Sequence, residues 1–588
     1  MESSSHGILL AVHIISSFHG DLCSKVCECL LRRGTLPLIQ IIRYTGLSRE
    51  NVMACLRILI HHNCVQAFAM EQEGGFGDAP RIVTQYMALF DNMLHKMRGS
   101  KFLEIIYEEL NKQCARIFFR FLEHGRLSFK QVIDSAPVPA KGCETVRESF
   151  RRLLNARFIE HCPVPEPFLA LPSEEEPSSR IRGANSAKNA AERQTMEQRA
   201  LIAAAPMESM RFSIEEDDLF EEEGENTNSL KVGEKRKQDV LKLDESISDP
   251  NRKKEVLWRV NFEEFVYLLR HKACISYVQK KINNDASIAL SAIFSLSRQL
   301  DTRKKAENSA YVPVSAVYDE VRKAKADPDK VFKSIRTALD HLGCQSLWTD
   351  MDGSYSVDIE GIIGMARKEE VESVVLKRYG REAYMIFRML SKADCFVETK
   401  KILAHTLFEE KVGVVKLHKL WIDEYLHMEK VDAGVKYGFL LWKINQQLLG
   451  VHFLDEMYHA ALNLRLRVAH ELHQRKELLE MEWKIEEWRE KMLEELRESG
   501  EKKLKMKESG EKKLKTKESG ENKLETNESS KMEVGTVFQW PKEKLEKMRK
   551  ENPMYDRVIR NEHLKEVREL LESNLMNLDD VIMLFHDF

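Results

Sequence analysis

The sequence has no phosphate-cradling Walker-type glycine loop, no paired-histidine zinc helix and no acidic metal-binding loop. These absences argue against the common nucleotide-hydrolysing and zinc-hydrolase classes. The densest glycine cluster, Gly74-Gly75-Phe76-Gly77, lacks the Lys-Ser/Thr helix start of a phosphate site and reads as a loop tip. Carboxylate pairs such as Glu108-Glu109 sit on ordinary helix surfaces, with no implied apolar pocket to raise a pKa. No cysteine pair has the two-residue spacing of a zinc ribbon. The eleven cysteines, including the close group Cys23, Cys27 and Cys29, read as reduced thiols packed in cores. No metal and no cofactor is expected, and an enzyme acting alone is not expected.

No apolar stretch approaches the ~20 residues needed to span a bilayer, and the N-terminus lacks the cationic region and cleavage signal of a leader. A soluble, intracellular protein without membrane contacts is therefore expected. A formal charge of -3 over 588 residues leaves no overall cationic field, so any nucleic-acid contact must be local. Charged residues make up 31% of the chain, above the usual ~25%, which points to solvated helices or unstructured stretches.

At this length about three to five domains are implied. From residue 21 the pattern gives a helix over 22–32 ended by Gly34. A second helix follows, with Pro37 in its first turn and Leu36, Ile39, Ile42 and Tyr44 on its apolar face. A third is capped by Ser48 and carries Val52, Leu56, Leu59 and Ile60 inward. Residues 65–70 read as a strand and 84–90 as a strand or helix, with the glycines as a wing between them. Histidines 61 and 62 sit where they meet the dipole of the third helix. Three helices and a hairpin describe a winged helix. The order recurs with helices at 117–122, 127–133 and 144–155 and a strand at 158–160. It recurs again with helices at 288–300, 314–323 and 328–342 and strands at 346–350 and 355–359. A fourth copy has helices at 381–391, 398–405 and 414–424 and a return at 435–442.

Residues 163–254 change composition, with eight carboxylates between Glu215 and Glu225, and read mostly as linker. Two basic clusters there, Lys235-Arg236-Lys237 and Arg252-Lys253-Lys254, resemble a bipartite nuclear import signal; solvated charge in a linker explains them equally well. Beyond 455, Leu478, Met481, Ile485, Trp488, Met492 and Leu496 form a coiled-coil seam. Leu564, Val567, Leu571, Leu575, Leu578, Ile582 and Phe585 form a matching arm. Ten-residue repeats at 498–504, 508–514 and 518–524 interrupt any helix with glycine and read as a solvated loop at the hairpin tip.

In winged helices the third helix can enter the major groove. The candidate DNA-contacting residues are Arg49, Asn51 and Arg57 in the first unit. In the second they are Lys141, Arg147, Arg151 and Arg152, and in the third Lys330, Lys333 and Arg336. Acids interleave with them, so protein docking is an equally physical use of these modules, and no helix gathers a dense base-reading set.

The order of modules resembles the winged-helix subunit of the RNA polymerase III-specific heterotrimer, a family related to the large subunit of the general factor TFIIE. Residues 30–34 (Leu-Leu-Arg-Arg-Gly), 158–165 (Phe-Ile-Glu-His-Cys-Pro-Val-Pro), 257–261 (Leu-Trp-Arg-Val-Asn), 379–388 (Tyr-Gly-Arg-Glu-Ala-Tyr-Met-Ile-Phe-Arg) and 578–582 (Leu-Asp-Asp-Val-Ile) carry the likeness. It implies a nuclear, non-catalytic subunit of DNA-directed RNA polymerase III, docked on the polymerase clamp and joined to two smaller subunits. It implies further contacts with the initiation factor TFIIIB and with duplex and single-stranded promoter DNA, in support of initiation and promoter opening at tRNA and 5S rRNA genes. The expected fold is mainly α with small β-hairpins: four tandem extended winged-helix domains at 1–95, 96–166, 255–360 and 361–455, with an acidic, largely disordered linker at 167–254. A C-terminal antiparallel coiled-coil hairpin follows at 456–588, with a repeat loop at 497–534. The repeats depart from the family's short hairpin loop. A free-standing winged-helix DNA-binding regulator and a winged-helix scaffold of a large assembly are the rival readings.

Overall fold

The computed structural model describes residues 4–72, 81–134, 143–169, 195–214, 256–298, 300, 306–324, 345–347, 354–393, 395–431, 439–444, 446–480 and 553–588. Two compact units divide them. Met1–His459 with Asp580–Phe588 form one, and Ala460–Asp579 the other.

The first unit opens with α1 (Ser5–His19), whose first turn is capped by the Ser4 hydroxyl accepting from the Gly7 amide at 3.0 Å. Next come α2 (Asp21–Arg33), β1 (Leu36–Pro37), α3 (Leu38–Thr45), α4 (Arg49–His61), β2 (Val65–Gln72) and β3 (Arg81–Ala88). Gly34, at φ 78°, ends α2 in a conformation that L side chains disfavour. β2 and β3 pair antiparallel from Val65↔Ala88 to Gln72↔Arg81, and β1 joins the free edge of β3 with Leu36 opposite Tyr86. That edge position tolerates Pro37, which has no amide to donate. It also reorients α3, so Ile41 points into the core while Ile39 is 80% exposed and Tyr44 is half exposed. The expected apolar face of this helix is corrected accordingly. The wing-tip glycines lie outside the described residues.

The second assembly consists of α5 (Phe90–His95), a 3-10 turn at Lys96–Arg98, α6 (Gly99–Glu109), α7 (Lys112–His124), β4 (Leu127–Ser128), α8 (Phe129–Asp134), α9 (Cys143–Asn155) and β5 (Ile159–His161). Its sheet is completed from nearly a hundred residues downstream. β7 (Leu257–Val260) lies between β4 and β5, pairing Trp258 with Leu127 and Val260 with Ile159. Trp258 is buried edge-on to Phe150 at 5.4 Å, and Phe158 stacks on Phe265 at 4.8 Å. Residues 257–260 thus complete the second core rather than opening the third module.

The expected linker is also partly built. β6 (Phe168–Leu169) pairs parallel with β2, and α10 (Met196–Ala204) places Ala200 against Phe68. α11 (Glu208–Arg211) carries Arg211 to Glu160 of β5, whose carboxylate is 2% exposed. Arg211 Nε donates to one oxygen of Glu160 at 2.5 Å and Arg259 Nε to the other at 2.8 Å. A buried carboxylate needs such partners, which is why this short stretch leaves the acidic segment and docks. Residues 215–255, with both basic clusters, lie outside the described residues.

Downstream, α12 (Phe262–Lys281) sets Phe265 in the second core and Cys274 and Val278 in the third. The third core adds α13 (Asn284–Ser297), β8 (Val312–Pro313), α14 (Val314–Ala324), β9 (Gln345–Leu347) and β10 (Ser354–Ser356), with sheet order β8-β10-β9. The expected helix at 328–342 lies outside the described residues. Then come α15 (Ile359–Tyr379), α16 (Arg381–Ala393), β11 (Val397–Glu398), α17 (Thr399–Thr406), α18 (Glu410–Ile422), β12 (His427–Val431) and β13 (Phe439–Lys443). Their core holds Ile386, Phe387, Ile402, Leu417, Leu420 and Trp442. Helix, helix, strand, helix, helix, strand, strand is the order around the first, second and fourth sheets.

α19 (Gln446–Gln474), α20 (Lys476–Glu480) and α21 (Pro553–His586) follow. At its C-terminal end α21 returns to the first unit. Leu584 enters the third core, Val581 and Phe585 pack on the fourth, and Asp587 forms a buried ion pair with Arg98 at 2.7 Å. In the second unit Ala461, Leu564 and Leu575 are buried. The seam residues 481–496 and the repeats lie outside the described residues.

Replacing Arg211 by Ala leaves Glu160 with one guanidinium. A charge-assisted hydrogen bond contributes about 1.5–3 kcal/mol, so amides at 195–214 are expected to exchange with solvent at least about tenfold faster while the β4-β7-β5 sheet stays protected. Unchanged protection of 195–214 would show that Arg211 does not hold the segment.

Candidate nucleic-acid interface

In the first, second and fourth modules the helix that follows the turn has a solvent-facing side. In the first module α4 begins at Ser48, whose hydroxyl accepts from the Asn51 amide at 3.3 Å. Val52, Cys55, Leu56 and Leu59 anchor the helix against α2. The opposite side is left to solvent, and Arg49, Asn51 and Arg57 are all exposed there, sharing the surface with Glu50 and Ile58. On the neighbouring surface the Arg33 guanidinium lies 3.9 Å over the Tyr44 ring, and Arg43 is exposed. Three of the expected residues are thus exposed along one helix.

The second module presents less charge. On α9, Arg147 and Arg151 are half-buried, and exposed Arg152 is paired one turn away with Glu148. Lys141, Lys330, Lys333 and Arg336 lie outside the described residues. The fourth module, for which no contact residues were expected, exposes Lys411, Val412, Val415, Lys419 and Ile422 along α18. A three-and-four spacing opposite the buried Leu417 and Leu420 marks that face, but branched apolar residues at such spacing read as core when seen in sequence alone.

The C-terminal end of α4 packs into a histidine cluster. His19 and His62 rings lie 4.3 Å apart, and His61 meets His62 edge-on at 5.7 Å. Burial, then the Lys96 ammonium, lowers His62 to about 3 and His19 to about 4, and His61 is lowered chiefly by burial. The neighbouring thiols go the other way: burial raises Cys23 to about 12 and Cys64 to about 11. Cys23, Cys27 and Cys29 are buried in the first core. Among the described residues no group of three or more His, Cys, Asp or Glu side chains is placed to hold a metal, and no helix is long and apolar enough to cross a membrane.

Small helical bundles closed by short sheets, with a solvent-facing helix after a turn in the first, second and fourth, define a protein of the winged-helix class. Comparison with known proteins narrows this. A profile of the RNA polymerase III subunit RPC82 helix-turn-helix domain matches residues 9–70, and one of the RNA polymerase III subunit RPC82 itself matches residues 148–338. The DNA-directed RNA polymerase III subunit RPC3 of Homo sapiens is 21% identical over 496 residues, covering 82% of this chain and 87% of that protein. The subunit rpc3 of Dictyostelium discoideum is 20% identical, covering 81% of this chain and 94% of that protein. RPC3 of Rattus norvegicus is 22% identical over 82% of this chain and 87% of its own length. The chain is thus similar to RNA polymerase III subunits of the RPC82 and RPC3 kind over most of its length.

Because folding lowers the pKa of His19 and His62, the unfolded chain takes up protons first. Their contribution to stability is complete above about pH 6.5 and is lost as pH falls toward 4 and 3. Denaturation midpoints of the wild type and of the double substitution His19→Gln, His62→Gln, measured at pH 7 and pH 4.5, test this. The acid-induced drop is expected to shrink in the double variant, and an equal drop in both would refute the assignment.

Proposed function

We propose that this chain is a nuclear, non-catalytic subunit of RNA polymerase III that docks on the polymerase clamp with two smaller subunits and aids initiation and promoter opening at tRNA and 5S rRNA genes. The observation that carries the reading is the similarity to RNA polymerase III subunits over most of the chain, coupled with a recurrent helix-turn-helix architecture that leaves one helix face outward in the first, second and fourth modules. On this reading the modules supply docking surface for polymerase subunits and for the initiation factor TFIIIB. The chain contributes no catalytic residue, cofactor or metal site. Arg49, Asn51 and Arg57 are the residues we assign to promoter DNA. They combine a helix start, which favours phosphate, with side chains suited to base edges. The sparser charge of α9 favours protein contact there, as does the near-neutral total, against a free-standing DNA-binding regulator.

Helices through 446–480 and 553–586 are read as the arms of a coiled-coil hairpin with the repeat loop 497–534 at its tip. The clusters at 235–237 and 252–254 are read as the import signal.

Affinity purification through a tag on this chain is expected to bring down the largest RNA polymerase III subunits in stoichiometric amounts, and a purified complex lacking them would refute the reading. The DNA assignment has its own test. With Arg49→Ala and Arg57→Ala together, duplex binding should weaken evenly across sequences. The slope of log affinity against log salt should fall by about 2, close to 0.9 per lost phosphate contact. An unchanged slope would remove α4 from the interface.

A further inference from the structure

The fourth module has an outward face unlike that of the first. In the first, the turn before α4 is made by Gly46, at φ 67° and ψ 13°. At the same place, before α18, stands Leu407, at φ 57° and ψ 29°, with its side chain 88% exposed. Both residues hold the left-handed conformation that the turn requires. Glycine adopts it freely, and a branched side chain does so at a cost. Neither the backbone nor the core accounts for leucine here, since the conformation disfavours it and burial does not reward it. A strained residue that projects an apolar side chain into solvent points to a use for that side chain.

The helix that follows agrees. Val412, Val415 and Ile422, spaced three and seven residues apart, lie on the solvent side of α18, with Val415 64% and Ile422 69% exposed. α17 and α18 pack closely where Gly413 faces the Leu403 side chain. Leu417 and Leu420, buried on the other side of α18, turn the apolar stripe outward. Exposed Lys411 and Lys419 share that side of α18, and Lys400 and Lys401 are exposed on α17. Glu409 and Glu410 lie at the α18 N-terminus, where carboxylates complement the helix dipole. Base-reading side chains of the Arg and Asn kind do not appear on this face.

We infer that the turn and outward face of α18, centred on Leu407, Val415 and Ile422, form a protein-docking site for an acidic amphipathic helix of a partner protein. The apolar stripe would receive the helix's hydrophobic ridge, and the lysines its flanking carboxylates. The helix position that carries DNA-directed charge in the first module is thus given over to protein in the fourth. The inference goes beyond the proposed polymerase role, since it names the face and the chemistry of its partner.

A photo-crosslinking p-benzoylphenylalanine placed at position 415 of the full chain, irradiated in cells and recovered under denaturing conditions, tests it. The same probe at exposed Lys112 serves as control. We expect one dominant crosslinked polypeptide whose attached peptide, sequenced by mass spectrometry, carries apolar residues at helical spacing flanked by Asp or Glu. Leu407→Gly, which suits the turn and leaves the melting temperature unchanged or higher, should cut the yield about tenfold or more, the loss typical of an interface anchor. Charge reversal with Lys411→Glu and Lys419→Glu should cut it as well. A crosslink to nucleic acid, a yield no higher than at position 112, or insensitivity to Leu407→Gly would overturn the inference. Co-purification of polymerase subunits decides the polymerase reading separately, so failure of one does not mask failure of the other.

Discussion

Arg98 and Asp587 meet at 2.7 Å with side chains 0% and 5% exposed, and the arrangement of the larger unit depends on this contact. Two ions taken out of water lose several kcal/mol of hydration each, and their mutual attraction repays that only in good geometry. Arg98 Nη1 also lies 2.9 Å from His95 Nδ1. Burial, reinforced by the arginine charge, lowers His95 to about 4, so the ring stays neutral and can accept that hydrogen bond. Such a pair adds little net stability compared with an apolar substitute. It is highly specific, because either ion alone would be stranded.

Residues 580–588 are drawn to one place by this requirement, and the cores around them share the result. Lys101 pairs with Asp580 at 2.6 Å, and His586 lies 3.1 Å from Asp91. Arg367 Nε donates to the Leu584 carbonyl at 2.8 Å, and Phe585 packs on Phe453 with ring centroids 4.8 Å apart. A segment more than four hundred residues distant thus ties the helices after the first wing to the third and fourth cores. The outward faces of α4 and α18 belong to one unit.

The sequence shows those parts of this fold whose causes are local. Gly34 and Ser48 mark the end of α2 and the start of α4 because caps act within a few residues. The period of Val52, Leu56 and Leu59 turns α4 inward for the same reason. The placement of Arg49, Asn51 and Arg57 on one exposed surface was legible as the remainder of that period. β7 was not legible in place, since Trp258 finds Leu127 and His161 only after the chain has gone out and returned. α11 was hidden by its acidic surroundings and is held through Arg211 by two distant carboxylates, Glu160 upstream and Glu263 downstream. The apolar face of α18 was not legible, because Val415 and Ile422 have the composition of a core and only tertiary structure shows them exposed.

A double-substitution cycle at the buried pair bears most directly on this account. Arg98→Met and Asp587→Leu, singly and together, would be followed by hydrogen–deuterium exchange in the full chain. Each single change strands a buried charge and should accelerate exchange across 90–98 and 580–588 by an amount equivalent to about 3–5 kcal/mol. The joint change should restore most of the protection, giving a large coupling energy. Additive effects, or single variants that exchange like the wild type, would show that residues 580–588 are held by something other than this pair.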